Sequence, residues 1–557
     1  MSEYKFRGLE MHGTNMWHMA AVNRSIEFIK EYHLNALIFH DIDIVDKLIP
    51  PFSMFPKNVW LDRWPLRDIT LLNNRYYINQ VAHKCVENGI DFYFNVKELF
   101  FPVDLLEIYP HLRKENGAIC PTDPFWWDFL DKKYTELCEL VPEFTGVIVS
   151  PGTRESMVSM AANACTCERC RSYNMDTWYR ELLTAMYKSL KKFGKKLVVR
   201  DFAYTSDHQY AMVEAAQSVS KDIVMALKKT PHDYYPTFPD NPAIGNCGGL
   251  DEWIEFDTWG QYFGVGVFPC SLVEDTKRRL KLYAEKGATG AWFRTDWELL
   301  SEGSTFNSFN MLNLIAGAMI TENPDVSEDE IYSTWVNKCG LYNSFIQDCI
   351  VQLPEYPTAP DAVERLKLFT QTSWKVLEKT IYARGHVFQE NCQFFDEVDL
   401  AFNMMQRFHS RDYWDPDAHL LVDPTEENMI EIFREKDEAL ELVRQLPDIL
   451  KPETLGVSKE FEEYLKTLLD LYDLYVRTFR EIAHLVYYTR RAEITGSEAD
   501  AKRVRDSIKM LEPLRDEVKA KVWHKPYAHE VVWCLDYTKL DALMADASSL
   551  TEKAVGV

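Results

Sequence analysis

Three short segments place a carboxylate within a few residues of a cation. They are Ser150-Pro-Gly-Thr-Arg154-Glu155, Arg200-Asp201 and Lys228-Lys229-Thr-Pro-His-Asp233. Glu255 and Asp257 follow, then Arg294-Thr-Asp296; His12, His40, Asn95 and Glu98 come earlier. Separated carboxylates are what glycoside hydrolysis requires. One carboxylic acid protonates the leaving oxygen, and a second carboxylate activates water or attacks the anomeric carbon. Arg154, Arg200, Lys228 and Lys229 are unusual company for a neutral sugar. They point to a substrate with its own carboxylate, which an arginine grips through two parallel hydrogen bonds. Trp259, Tyr262, Trp292 and Trp297 offer faces for stacking on sugar rings.

Cysteine spacing carries a second chemistry. Cys165-Thr-Cys167-Glu-Arg-Cys170 is a CxCxxC cluster, and Cys120 opens a Cys-Pro-Thr-Asp-Pro turn 45 residues upstream. Four thiolates suit a closed tetrahedral zinc site with a structural role, which needs no open coordination position. The alternatives are free thiols, or Cys247 or Cys270 in place of Cys120. The other eight of the 12 cysteines are scattered and read as core residues. No GxGxxG or phosphate-loop motif follows the first predicted strand, so no organic cofactor is expected.

These residues must be positioned by a series of short apolar runs. The runs are Phe6–Met11, Ala36–His40, Asp91–Val96, Gly146–Ser150, Leu197–Phe202, Asp222–Lys228, Trp253–Asp257 and Ala288–Arg294. Most are apolar without alternation, the pattern of strands buried on both faces of a parallel sheet. Amphipathic stretches separate them. Ile26, Ile29 and Tyr32 share a face of one, and Trp178, Leu182, Met186 and Leu190 a face of another. Eight strands with intervening helices over about 290 residues predict a (β/α)8 barrel rather than a doubly wound open sheet. In such a barrel the catalytic groups stand at the C-terminal ends of the strands, which gathers the carboxylates and cations at one mouth.

Beyond residue 327 the strand signals thin out. Phe461, Tyr464, Leu465, Leu468, Tyr472, Tyr475, Phe479 and Ile482 follow helical spacing behind Ser458, a candidate N-cap. Val504, Ile508, Leu511, Leu514 and Val518 repeat the pattern, with Pro513 as a point of kinking. The expected organisation is a catalytic barrel over 1–327 and an all-α domain over 328–557. Its aromatic stripes suit a core or a homodimer interface.

The 557-residue chain carries a formal net charge of −24, with 46% hydrophobic and 27% charged residues. Those proportions exclude disordered and fibrous classes. The acidic balance argues against nucleic acid, whose binding draws on Lys and Arg, and against anionic membrane surfaces. The longest apolar run, Leu314–Ile320, is too short to span a bilayer, and the opening residues do not read as a signal peptide. A cytoplasmic protein with reduced thiols is expected.

The segment Leu227-Lys-Lys-Thr-Pro-His-Asp-Tyr-Tyr-Pro236, with Pro242-Ala-Ile-Gly245, Trp253-Ile-Glu-Phe256 and Gln261-Tyr-Phe-Gly264, resembles glycoside hydrolase family 67, the α-glucuronidases. The resemblance implies an exo-acting enzyme that releases a uronic acid from an oligosaccharide or glycoside. It assigns the general acid to Glu155, one residue further from the strand than the family pattern has it. The carboxylate-binding arginine falls on Arg200 and the motif lysine on Lys228. One base carboxylate falls on Asp233; the other falls on Gln261, which cannot act as a base. Either Asp233 alone positions water in an inverting reaction, or Glu255 or Asp257 takes over, which opens a retaining route. Further substrate contacts are expected from His12, Arg154, Asp257, Gln261, Trp292 and Arg294. The cysteine arrangement is similar to that of family 42 β-galactosidases. A second reading is therefore a retaining exo-glycosidase, with Glu155 as acid and a strand-seven nucleophile. A third, motivated by Gln261, is a sugar-binding relative without catalysis.

Overall fold

The computed structural model describes residues 4–56, 65–202, 206–300, 303–346 and 352–556. Eight parallel strands close into a barrel in chain order: β1 (Phe6–His12), β2 (Ala36–His40), β3 (Asp91–Glu98), β4 (Gly146–Pro151), β5 (Lys196–Arg200), β6 (Val224–Lys228), β7 (Asp251–Asp257) and β8 (Gly290–Arg294). Each lies on one of the predicted runs. Closure is made by β1, whose Gly8–His12 registers with Ala36–His40 and whose Phe6–Glu10 registers with Gly290–Arg294. The chain is a (β/α)8 barrel followed by a helical region.

Alternation along each strand sends every second side chain into the barrel. The lower inward positions are apolar: Phe6, Ala36, Ile38, Tyr93, Ile148, Val198, Val224, Ala226, Trp253 and Trp292 form one buried cluster. Phe6 stacks on Trp253 with ring centroids 3.6 Å apart. Gly290 leaves room for that indole, since a Cβ there would lie 2.4 Å from Trp253 Cδ1. Two residues further along the same strands the inward side chains turn polar. They are His40, Asn95, Ser150, Arg200, Lys228, Glu255 and Arg294, all buried. A dry floor therefore carries a charged upper tier, and that tier holds the chemistry. Cutting a floor residue such as Ile148 to alanine would cost about 2–5 kcal/mol and loosen the tier above it.

The chain forms two compact units. One comprises Met1–Asp233, Asp240–Phe256 and Arg279–Arg294; the other comprises Tyr234–Pro239, Asp257–Arg278 and Thr295–Val557. In the second unit, Ser458 caps the helix Lys459–Thr495, its Oγ accepting from Phe461 N–H at 3.2 Å. The aromatic stripe of that helix is buried within the unit. Pro513 is accommodated inside one helix, Glu498–Val522. A small antiparallel pairing of Tyr382–Ala383 with His386–Val387 adds strand to an otherwise helical region. Leu314–Ile320 belongs to the helix Met311–Glu322, which is buried along nearly its whole length. Among the described residues no helix is long and apolar enough to cross a membrane.

Candidate active site

Three ion pairs line the upper tier of the barrel unit. In the first, Lys97 from β3 donates to Glu155 Oε2. The lysine is buried, whereas Glu155, in the loop after β4, has 44% of its side chain exposed. That loop is pinned to the end of β3: Gly152 N–H and Ser156 Oγ donate to Glu98 O at 2.8 and 2.9 Å. Glu98 alternates with Lys97 and meets the buried Lys133 and Tyr134 instead.

In the second pair the guanidinium of Arg200 on β5 spans Glu255 on β7. Nε lies 2.7 Å from Oε2 and Nη2 lies 2.9 Å from Oε1, while Nη1 donates to Ser150 Oγ at 3.2 Å. This is bidentate geometry between buried groups. The arginine that the family resemblance assigns to a substrate carboxylate thus aims its fork at Glu255.

In the third, Lys228 at the end of β6 donates to Asp233 Oδ1. Asp233 adopts a left-handed backbone with φ +45°, which aspartate tolerates better than most residues. Thr230 Oγ1 holds it there by donating to Asp233 O at 2.6 Å. His232 Nε2 lies 3.5 Å from Asp233 Oδ2. Burial pulls the Lys228 ammonium below its ordinary pKa, against the pull of Asp233. Lys229 alternates away, with its Nζ 6.0 Å from the Phe256 ring centroid.

One aromatic ring touches the cation of every pair. The Phe202 centroid lies 3.9 Å from Lys228 Nζ, 4.7 Å from Lys97 Nζ and 5.4 Å from Arg200 Cζ. All three are cation–π distances.

On the β1 side the tier is organised by Glu10. Its Oε2 accepts from Asn95 Nδ2 at 3.0 Å and from Trp292 Nε1 at 2.9 Å, and its Oε1 lies 2.9 Å from His40 Nδ1. The His12 ring stacks on His40 with centroids 3.8 Å apart and planes 13° from parallel. Glu10, His12 and His40 are close enough to suggest a metal. The stacking argues otherwise, because in-plane lone pairs of parallel rings do not converge on one ion. Trp292, expected to stack on sugar, has its ring in the apolar floor and reaches the tier through Nε1. Arg294 is buried on β8 in register with Glu10, and Arg154 is exposed beside Glu155.

Asp257 and Gln261 belong to the second unit. The Asp257 carboxylate holds the following turn, accepting from Trp259 N–H and Gln261 N–H at 3.0 Å each. Gln261 Nε2 donates to Asn391 Oδ1 at 3.1 Å.

Sequence reasoning overlooks Glu10, Lys97 and Phe202. Glu10 and Lys97 lie in or beside apolar runs, yet each is in phase with an inward histidine or asparagine, and period two would have exposed them.

The four cysteines converge. Cys120 Sγ lies 3.5 Å from Cys170 Sγ and 3.7 Å from Cys167 Sγ, and all four sulfurs lie within 4.8 Å of one another. A tetrahedron with Zn–S bonds of about 2.3 Å separates its sulfurs by about 3.8 Å, so the spacing fits. Cys167 also caps the helix Glu168–Ser172, and the Cys170 N–H that it accepts pulls its thiol down to about 7. Cys247 contacts Ala243 O instead, and Cys270 belongs to the second unit, which leaves Cys120 as the fourth member.

No known family model and no curated protein matches this chain. Among solved structures, a GH138 enzyme targeting pectin rhamnogalacturonan II aligns over 100% of this chain and 66% of its own, with a TM-score of 0.61 and 11% identity. This chain therefore spans just under two thirds of that protein's length. A mutant of the Thermobaculum terrenum O-GlcNAc hydrolase aligns over 99% of this chain and 97% of its own, with a TM-score of 0.43 and 12% identity. The Flavobacterium johnsoniae chitobiase aligns over 99% and 78%, with a TM-score of 0.41 and 11% identity. The first of these shares this chain's fold.

Proposed function

We propose that this chain is a glycoside hydrolase that removes an α-linked uronic acid from an oligosaccharide or glycoside. One observation carries the reading: two carboxylates, Glu155 and Asp233, each rest on a buried lysine at the same barrel mouth. The fold is one that a GH138 enzyme targeting pectin rhamnogalacturonan II also has, which is compatible with action on a carbohydrate.

Glu155 is the general acid, because it stands exposed on a pinned loop from which it can reach a leaving oxygen. Asp233 is the base that orients water. Glu255 is the poorer choice, since both of its oxygens are engaged by Arg200 and the carboxylate is fully buried. Lys97 and Lys228 take the role of gripping the substrate carboxylate, and Arg200 holds the tier in shape. His40 and Asn95, oriented by Glu10, offer hydrogen bonds to ring hydroxyls, and His12, stacked on His40, offers another. The reaction is inverting on this assignment.

Cys120, Cys165, Cys167 and Cys170 would hold a structural zinc that braces the loops after β3 and β4, and so the segment bearing Glu155. The resemblance of this cluster to β-galactosidases favours one second reading, a retaining exo-glycosidase. Proton NMR during hydrolysis of 4-nitrophenyl α-D-glucuronide tests both. We expect glucuronic acid released first as the β-anomer; the α-anomer first would support the retaining enzyme. Lack of turnover on every uronide offered would defeat the substrate assignment.

A further inference from the structure

We propose that Phe202 is a positioning residue that makes acid–base chemistry at the mouth depend on an anionic substrate. The inference rests on reading the mouth as a uronidase site, and it adds a means by which that site would reject neutral sugars.

Lys97, Arg200 and Lys228 each carry one carboxylate of the tier, and each cation also lies over the same ring. Three like charges around one point repel one another, and a lysine ammonium on a four-carbon stem is free to follow its carboxylate. The negative face of the Phe202 ring opposes both tendencies. The two ammonium groups lie 4.7 and 3.9 Å from its centroid, and on this proposal the ring keeps them there when Glu155 and Asp233 let go.

An ammonium has three N–H donors, so it can redirect one to an arriving anion without leaving the ring. A uronate carboxylate between Lys97 and Lys228 would therefore compete for the bonds that Glu155 and Asp233 receive in its absence. Glu155, released from Lys97, is then free to turn toward the leaving oxygen as its acid. Asp233, likewise released, can accept a proton from water. A neutral sugar brings no competing anion, and both carboxylates stay on their lysines. Selection for the uronic acid thus acts on kcat as well as on KM.

The test compares the wild type with Phe202→Leu, Phe202→Met and Phe202→Tyr. Calorimetric titration with free glucuronate reads the anion site without requiring turnover. We expect Phe202→Leu and Phe202→Met to bind glucuronate about tenfold more weakly and Phe202→Tyr to bind it nearly normally, since only the tyrosine keeps a π face. Two aliphatic variants with unchanged melting temperatures guard against a folding defect. With phenyl α-glucuronide, whose leaving oxygen needs a proton, kcat should fall about tenfold in the aliphatic variants and stay near the wild-type value in Phe202→Tyr. Unchanged glucuronate affinity and an unchanged kcat in Phe202→Leu would overturn the proposal while leaving a uronidase intact. Phe202-dependent glucuronate binding in a wild type that cleaves no glycoside would keep the anion site and remove the hydrolase reading.

Discussion

Arg200 reaches past β6 to meet both carboxylate oxygens of Glu255, Nε at 2.7 Å from Oε2 and Nη2 at 2.9 Å from Oε1. A buried pair of this kind ties β5 to β7 across the strand that carries Lys228, and it fixes the tier before any substrate arrives. Removing one partner strands the other charge, which costs about 3–5 kcal/mol. Arg200→Met should therefore lower urea stability by that order. The double variant Arg200→Met/Glu255→Met should recover most of the loss, because no buried charge is left alone. Strictly additive losses in the double-mutant cycle would show that the two residues do not act as a pair.

Glu155 and Asp233 should separate by leaving group. Loss of a general acid typically costs about 10²- to 10⁴-fold, and most where the leaving oxygen needs its proton. Glu155→Ala should therefore cleave a dinitrophenyl uronide far better than a sugar-linked one. Asp233→Asn should be impaired on both, since water activation is common to them. Equal impairment of Glu155→Ala on both substrates would remove it as the acid.

The cysteine cluster predicts about one zinc per purified chain by elemental analysis. Cys167→Ser should lose the metal and lower the melting temperature. Zinc should also leave as the pH falls, since the ligands must be thiolates and protons compete for them. A well-folded wild type free of metal would end the assignment.

Stability should fall on the acid side. Burial lowers His386 and His484 to about 4 from the usual 6.5, so both are neutral in the folded chain. The unfolded chain takes up their protons below 6.5 and the folded chain does not. The penalty is therefore absent at neutral pH, grows from about pH 6.5 downward, and is complete near pH 4. It amounts to a few kcal/mol for each histidine. His484→Phe should flatten the melting temperature between pH 6.5 and 4; an unchanged slope would assign the acid sensitivity to other groups.

How much of this is legible in the sequence differs between floor and tier. The eight strands are readable because strands buried on both faces leave near-continuous apolar runs, such as Ala36–His40, which coincides with β2. Glu155, Asp233 and the four cysteines stand out through spacing along the chain. Partnerships across the barrel do not. Arg200 and Glu255 are 55 residues apart, and nothing in their spacing says that the arginine meets Glu255 rather than Glu155, Asp233 or a substrate. Lys97 is hidden between Asn95 and Glu98, where only inward phase marks it. Phe202 matters through three neighbours drawn from β3, β5 and β6, a convergence that only closure of the barrel creates.

The most direct measurement is kcat/KM on two substrates that differ only at the sugar's C6 position, 4-nitrophenyl α-D-glucuronide and 4-nitrophenyl α-D-glucoside. A mouth whose Lys97 and Lys228 receive a carboxylate should favour the glucuronide by about 100-fold or more, the usual scale when a buried charged site loses its counterpart. Equal rates, or preference for the glucoside, would contradict the account.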